Sequence, residues 1–275
     1  MKLPIVIVPH VSWRRLSLLQ LLDSLSKQTR RVKVIVLHDD PDEACGEHEN
    51  IRLDQTTQRF LHRPKWWPLE LKGGVTPSSR ERAQCERWKL IEEIATHDTS
   101  PEGIWILTLD DDMQIPLNYI ERTRQEFMRL ESATTDPVLS WGGVDTDYRW
   151  RHYNEQHGAC ELVLPQAGAM AFYADTFVGL GATKLAQLAH VRGGSEELPV
   201  AAFLEEKDLR IFRPSGCGPQ PTKDAYDPRS SYKTTQVMLR TILDQCIADP
   251  NGWPHARAIQ QLLAGKRPRA AGVRA

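Results

Sequence analysis

The sequence predicts an α/β protein in which a mostly parallel central sheet is flanked by helices, with a helical appendage at the carboxyl end. Three observations predict this class. Short apolar runs of strand length alternate with longer amphipathic segments in the first half of the chain. Polar residues that could bind a ligand follow three of these runs directly, as is typical of the carboxyl edge of a parallel sheet. The 275 residues, 40% of them hydrophobic, suffice for one large core.

The beginning of the chain predicts a β-α-β unit. Residues 3–8 are apolar and β-branched, which predicts a buried strand. The leucines within 11–27 recur close to helical spacing and predict a helix. Residues 32–37 are again apolar and predict a second strand, which ends at Asp39-Asp40. Consecutive strands joined through a helix pair in parallel, so both strands are expected to end at one edge.

The next segment predicts little regular structure. Residues 41–78 are polar and irregular, with a short strand possible only at Ile51–Leu53. Trp66 and Trp67 stand side by side in a proline-flanked loop, where packing is the favoured use of two aromatic rings and a ligand platform the alternative. Residues 78–97 then predict a helix.

A run of three acids follows the third predicted strand. Ile104–Leu109 is apolar and of strand length, Asp110-Asp111-Asp112 comes directly after it, and Pro116 begins a predicted helix to about Glu131. Adjacent carboxylates repel one another and are costly to desolvate together, and a divalent cation would relieve that cost. Asp110 and Asp112 would project to the same side of an extended segment. Mg²⁺ or Mn²⁺ binds one or two such carboxylates and completes its shell with water and phosphates. A solvated turn with one Asp capping the helix is the alternative.

The second half predicts shorter elements. The predicted strands are 138–141, 161–164, 167–173 and 209–212, and the predicted helices are 174–190, 196–207, 230–247 and 254–264. A Pro/Gly-rich loop is predicted at 214–229, and the basic tail 266–275 is predicted to be disordered. The helices after the loop would either cover an acceptor site or pack on the sheet.

Composition excludes several classes of protein. Lys and Arg total 35 against 36 Asp and Glu, so no overall field favours nucleic acid or an anionic membrane. No run reaches the roughly 20 apolar residues of a membrane span. The five cysteines are widely spaced and form no C-x-x-C pair, which predicts reduced thiols in a cytoplasmic protein. No Gly-rich phosphate loop follows any predicted strand, which argues against a dehydrogenase or an ATPase.

Taken in order, these motifs resemble a family-2-like glycosyltransferase with the GT-A fold, a Rossmann-like α/β architecture. The segments that carry the resemblance are Val8-Pro9-His10 after the first strand, Val34–Asp40 with its closing acids, Leu109–Asp112 as a D-x-D motif, Pro165–Tyr173 as a Gly-containing acceptor-side strand, and Ser195-Glu196-Glu197 before a helix and the strand Leu209–Phe212. The resemblance implies a catalytic domain over 1–213, divided into a nucleotide-sugar half (1–141) and an acceptor half (142–213), then an extension (214–265) and the tail (266–275).

The chain departs from the family pattern at three points. Pro41-Asp42 stands where the family has Gly-Ser, and the base motif is Glu196-Glu197 where the family has Glu-Asp. The family's Ala-Arg-Asn segment is only loosely matched near Arg80.

The resemblance implies metal-dependent, inverting transfer of a sugar from a nucleotide diphosphate, UDP by family habit, to the hydroxyl of a glycan or other acceptor. The residues that it assigns are Glu197, with Glu196 as rival, for the general base; Pro9, His10, Asp39, Asp40, Arg80, Asp110 and Asp111 for the nucleotide; Asp110 and Asp112 for Mn²⁺ or Mg²⁺; and Gly168 and Trp141 for the acceptor side. Helix-terminal acids such as Glu196 and Glu197 are also favoured by the helix dipole without any catalytic role.

Two other functions stay open. A nucleotidyltransferase also uses paired acids and a metal, but it brings a Gly-rich opening loop, and residues 9–15 contain no glycine. A non-catalytic scaffold module with this fold would lose the metal or the base, and the intact acid triplet argues against it. The basic tail leaves open a nucleic-acid acceptor.

Overall fold

The protein is described from a computed structural model. It describes residues 3–10, 14–39, 69–75, 82–97, 103–152, 155–180, 196–222, 243–244, 247–248 and 253–265.

Four parallel strands form the first half of the sheet. They are β1 (Ile5–His10), β2 (Lys33–Asp39), β3 (Leu69–Val75) and β4 (Trp105–Leu109), in the order β3-β2-β1-β4. Val6 of β1 faces one core cluster and Ile7 faces the other, and both are fully buried. A parallel strand covered on both faces needs a continuous apolar run, which the start of the chain supplies.

Helices cover both faces of these strands. They are α1 (Arg15–Ser26), α2 (Arg82–His97) and α3 (Tyr119–Glu131). The leucines of α1 pack with Phe127 of α3 against one face of the sheet. Trp88 and Ile91 of α2 pack against the other face. The α/β class with helices on both faces of a sheet is therefore confirmed.

The second half adds shorter strands to the same sheet. They are β6 (Val138–Ser140), β7 (Gly143–Asp145), β8 (Trp150–Arg151), β9 (Cys160–Pro165), β10 (Ala169–Tyr173) and β11 (Ile211–Arg213), and the order beyond β4 is β10-β6-β11-β9-β7-β8. Strand β10 is antiparallel to both β4 and β6. A separate two-stranded sheet joins β5 (Met113–Gln114) to β12 (Gln220–Pro221).

The remaining helices pack on this second half. They are a 3₁₀ helix (Ala174–Phe177), α4 (Glu197–Glu206) and α5 (Ala256–Leu263). Ile259 of α5 shares a core cluster with Leu198 of α4 and Val144 of β7. Helix α5 therefore packs against the core of the second half. In the part of the chain that the structure describes, no helix has the length and hydropathy of a membrane span.

Several predicted boundaries are wrong. Strand β3 lies inside the segment predicted to be irregular. It is the outermost of the described strands, and its polar, Gly-containing sequence Leu69–Val75 lacks the continuous apolar run of a strand buried on both faces. Helix α3 begins at Tyr119, three residues after Pro116. The helix predicted over 174–190 begins as a 3₁₀ helix, Ala174–Phe177, and its residues 181–190 lie outside the described ranges.

Other predictions fall outside the described residues. These are the predictions for Ile51–Leu53, Trp66-Trp67, Asp40, Arg80, most of the helix at 230–247, and the tail 266–275. Of the cysteines that the structure describes, Cys160 and Cys217 are free thiols, as predicted.

Candidate active site

The carboxyl ends of the parallel strands bring ligand-capable residues to one edge. His10 ends β1, Asp39 ends β2, and Asp110 directly follows β4. Contact across the edge is direct, because His10 Nδ1 lies 2.8 Å from Oδ2 of Asp111. His10 is only 1% exposed, so its ring orients Asp111 and is turned away from solvent. Pro9, predicted for the nucleotide, is likewise buried within β1.

The acid triplet is a buried turn rather than an extended or solvated segment. The Asp110 N–H donates to the Gly168 carbonyl at 3.2 Å, and the chain turns at Asp111 and Asp112 before β5. Asp111 is 2% exposed and Asp112 is 8% exposed. The Asp112 carbonyl accepts a bond from the Thr222 N–H at 2.7 Å. The C-terminal part of the chain therefore holds the turn in place.

Arg14, just before α1, neutralises part of this charge. Its Nη1 lies 3.0 Å from Oδ1 of Asp111 and 2.8 Å from Oδ2 of Asp112. Burial nevertheless raises the pKa of Asp112 to about 7; the charges of Asp110 and Asp111 also raise it, and Arg14 opposes them. The ionised form of Asp112 therefore lacks full compensation from the protein.

A fully buried arginine joins the triplet to the second acid motif. Nη2 of Arg87 on α2 donates to Oδ1 of Asp110 at 2.9 Å and to Oε1 of Glu196 at 2.6 Å. Its Nη1 donates to the Ala167 carbonyl at 3.3 Å. Arg87 is 0% exposed. One guanidinium thus links three chain segments that are far apart in sequence.

Glu196 is occupied by structural contacts. Its Oε1 accepts from Arg87, and its Oε2 accepts from the indole N–H of Trp88. It is 4% exposed. Burial raises the pKa of Glu196 to about 8; Glu197 and Asp110 add to the increase, and Arg87 opposes it. A carboxylate with both oxygens bound inside the core is poorly placed to accept a proton from a substrate.

Glu197 is the better candidate for a base. It is the first residue of α4, and it is only partly buried where Glu196 is buried. Its charge acts on both Arg87 and Glu196, so it lies at the same site. The structure therefore brings the triplet and the Glu-Glu motif together.

Sequence reasoning missed Arg14 and Arg87. The signal for Arg87 was present, because it lies four residues before Ile91 and therefore on the apolar face of α2. An arginine on a core-facing stripe needs an acidic partner. Nothing local identified Glu196 as that partner.

Gly168 provides space for Asp110. A Cβ added at Gly168 would lie 2.1 Å from Oδ2 and 2.3 Å from Cγ of Asp110. The predicted acceptor-side glycine therefore allows the carboxylate to pack on the loop between β9 and β10.

Trp141 corrects an expectation. It is 1% exposed, and its indole N–H donates to Oγ1 of Thr123 at 3.1 Å. Its ring lies 5.6 Å from that of Tyr119. The side chain is part of the core beneath the site, and burial keeps it from the contact with an acceptor that the family resemblance implied.

The acid cluster fits a divalent cation that also binds phosphate. No set of three His, Cys, Asp or Glu side chains within the described ranges is arranged to hold a metal. Asp110 and Asp112 nevertheless supply the one or two carboxylates that Mg²⁺ or Mn²⁺ usually takes from a protein. Four acids, Asp110 to Asp112 and Glu196, face two arginines here. Burial raises the pKa of Asp112, and the charges of Asp110 and Asp111 add to the increase, so a cation beside Asp112 would stabilise its ionised form.

Sequence comparison finds no relatives: no family model matches the chain, and no curated protein matches it in sequence. Solved structures do match. S. aureus TarS superposes with a TM-score of 0.51 at 14% identity over 96% of this chain and 43% of that one. Mannosyltransferase PcManGT from Pyrobaculum calidifontis, in complex with GDP-Man and Mn²⁺, superposes with a TM-score of 0.54 at 13% identity. The match covers 95% of this chain and 71% of that one. GalNAc-T7 with UDP, GalNAc and Mn²⁺ superposes with a TM-score of 0.52 at 12% identity. The match covers 96% of this chain and 55% of that one.

These similarities establish the fold. TM-scores of 0.51–0.54 over 95–96% of the chain show that it has the GT-A glycosyltransferase fold, although the sequence identities are only 12–14%. The chain spans less than half the length of TarS.

Proposed function

We propose that the protein is a metal-dependent glycosyltransferase that moves a sugar from a nucleotide diphosphate donor, a UDP-sugar in the first instance, to an acceptor hydroxyl with inversion. One observation carries the proposal. The guanidinium of Arg87 joins Asp110 to Glu196, so an acid cluster suited to a metal and diphosphate lies beside the start of the helix that carries Glu197. A transferase needs its leaving group and its acceptor base next to each other.

The donor side of the reaction is assigned to the triplet. Asp110 and Asp112 would hold Mn²⁺ or Mg²⁺, which when bound supplies a Lewis acid for the departing diphosphate. Asp111 is fixed by His10 and Arg14, and it keeps the turn in shape between them. Arg14 also lies against Asp112, where a cation adds positive charge to a carboxylate that burial leaves undercompensated.

The acceptor side is assigned to Glu197. Its carboxylate takes the proton of the acceptor hydroxyl while the acceptor oxygen forms a bond to the anomeric carbon. The bond from that carbon to the diphosphate oxygen breaks, and the nucleoside diphosphate leaves with the electron pair. A base on the face opposite the leaving group gives inversion. Glu196 is the weaker candidate, since Arg87 and Trp88 occupy both of its oxygens.

The nucleotide is assigned to the edge formed by β1 and β2. Asp39 ends β2 beside β1, at the edge where open α/β sheets bind ligands. Asp40 and Arg80 remain candidates for the base, ribose or phosphates. His10 is assigned an indirect role through Asp111.

The structural similarities support a nucleotide-sugar donor and a divalent cation in general terms. PcManGT was solved with GDP-Man and Mn²⁺, and GalNAc-T7 with UDP, GalNAc and Mn²⁺. The two nucleotides differ, so the choice of base is a matter for measurement.

Calorimetry with UDP, GDP, CDP and CTP, each with Mn²⁺ and with EDTA, tests the proposal on wild type and Asp112→Asn. Metal-dependent binding of one nucleoside diphosphate that is lost in the variant is the expected result. Preference for the triphosphate CTP would point to a nucleotidyltransferase. No binding of any of the four would contradict the proposal and favour a scaffold role.

A further inference from the structure

The geometry points to Arg87 and Glu196 as a positioning pair that transmits metal and diphosphate binding at Asp110 to the first turn of α4, where Glu197 lies. The inference rests on the proposed function and extends it, because it concerns how the donor half of the site acts on the acceptor half. Neither residue is assigned a contact with substrate.

Shared use of one nitrogen carries the argument. The same Nη2 of Arg87 donates to Asp110 at 2.9 Å and to Glu196 at 2.6 Å. Two carboxylates therefore compete for one donor atom, and a change at one alters the bond to the other. Arg87 is 0% exposed, so water does not screen this competition.

The arginine is not saturated by hydrogen bonds. Its Nε has no partner among the described residues, although the atom is buried. Its Nη2 serves both acids, and its Nη1 donates to the Ala167 carbonyl.

The direction of the effect follows from charge. Asp110 is the more exposed partner, with 28% of its side chain accessible, and Glu196 has 3%. When Asp110 shares its negative charge with a bound cation, it attracts Arg87 less, and Nη2 donates more strongly to Glu196. The charge of Glu196 then shifts toward Oε1, and its Oε2 accepts less strongly from the Trp88 N–H.

The consequence is a response in a buried residue that no ligand can touch. Trp88 is 0% exposed and stacks against Phe172 at 5.8 Å. Glu196 lies immediately before Glu197, so the same tightening fixes the start of α4. We therefore expect donor binding to order the acceptor base before an acceptor arrives.

The indole N–H resonance of Trp88 in a ¹H–¹⁵N spectrum gives the test. Trp88→Phe assigns the resonance by its disappearance. Titration with Mg²⁺ and UDP, or the nucleotide that calorimetry identifies, is expected to move it upfield in wild type. The resonance of Trp105 is the internal control. Trp105 is the first residue of β4, and at about 3.3 Å per residue it lies roughly 16 Å from Asp110, which follows the other end of the strand.

Two substitutions separate coupling from simple support. Glu196→Gln removes the charge that Arg87 follows but keeps the side chain's shape, so the Trp88 shift should fall to less than about a third while metal-dependent nucleotide binding persists. Arg87→Lys keeps the positive charge but supplies a point donor in place of a planar fork, so it should retain only part of the shift of the Trp88 resonance that wild type shows.

The outcomes distinguish this inference from the proposed function. Nucleotide binding that leaves the Trp88 resonance in place would overturn the coupling and leave the glycosyltransferase proposal standing. An equal shift in Glu196→Gln would also overturn it. Failure of Mg²⁺ and nucleotide to bind wild type at all would reject both proposals.

Discussion

The carboxylate of Asp110 occupies the space in which Gly168 would carry a side chain: Oδ2 lies 2.1 Å from the ideal Cβ position. The contact joins the end of β4 to the start of β10 at the edge of the sheet. Asp110, a predicted metal ligand, can therefore hold this position only because residue 168 has no side chain.

Replacing Gly168 with alanine should therefore displace Asp110. The added methyl forces the carboxylate to rotate, which breaks its bond from Arg87 and moves it from the site assigned to the metal. A hydrogen bond to a charged group contributes about 1.5–3 kcal/mol, so Mn²⁺-dependent nucleotide affinity should fall roughly 10- to 100-fold by calorimetry.

Gly158→Ala is the matched control for that change, because nothing lies within 4 Å of its ideal Cβ position. It should bind as wild type does. Wild-type affinity in Gly168→Ala would show that the position of Asp110 does not matter to the nucleotide.

Glu197→Gln should separate binding from transfer. The amide cannot take a proton from the acceptor, so turnover is expected to fall about 10²- to 10⁴-fold. Nucleotide affinity should stay within about twofold, because the substitution leaves the triplet unchanged. Product formation and calorimetry on the same preparation measure the two effects.

Glu206→Gln lies at the exposed end of the same helix and should leave both quantities unchanged. Retained turnover in Glu197→Gln would reject Glu197 as the base and return attention to Glu196.

Much of the fold was accessible from sequence because its signals are local. The apolar runs of β1, β2 and β4 are continuous, as strands buried on both faces require, and acids follow two of them. Strand β3 was missed because its sequence lacks such a run. It is the outermost of the described strands, and a pair of glycines and a lysine interrupt its apolar pattern.

The site was less accessible because its contacts join distant segments. Arg87 and Glu196 are 109 residues apart, and no sequence period connects them. Trp141 shows the opposite error. The family resemblance assigned it to the acceptor side, but the bond from its N–H to Thr123 shows that α3 covers it.

Two tryptophan substitutions should differ in cost for an electrostatic reason. Trp88→Phe removes the N–H that serves the buried carboxylate of Glu196, and Trp141→Phe removes an N–H that serves the neutral hydroxyl of Thr123. Both side chains are almost fully buried, so their packing losses are similar. In urea at pH 9, where Glu196 is ionised, unfolding should show a loss of about 1.5–3 kcal/mol for Trp88→Phe and about 0.5–1.5 kcal/mol for Trp141→Phe.

Equal losses would indicate that Glu196 is protonated when it meets Trp88. Burial raises the pKa of Glu196 to about 8, so the difference between the two variants should shrink when the measurement is repeated at pH 6.5, where Glu196 is protonated.

His255 should make the packing of α5 sensitive to acid. Its Nδ1 lies 3.0 Å from the Tyr148 hydroxyl, and its Nε2 lies 3.7 Å from Oε1 of Glu205. Burial lowers the pKa of His255, and the charge of Glu205 only partly opposes this. Between the lowered pKa and the ordinary value near 6.5, the unfolded chain binds a proton that the folded chain does not. Stability is therefore fully present above about pH 6.5 and is lost as the pH falls toward the folded-state pKa.

His255→Gln removes this titration and keeps an acceptor for Tyr148. Melting temperatures at pH 7.5 and 5.5 should therefore fall less on acidification in the variant than in wild type. His97→Gln, at the exposed end of α2, is the matched histidine control and should behave as wild type does. An acid-induced decrease as large in His255→Gln as in wild type would show that His255 titrates alike in the folded and unfolded chain. A larger decrease in the variant would show that Glu205 holds His255 in its charged form.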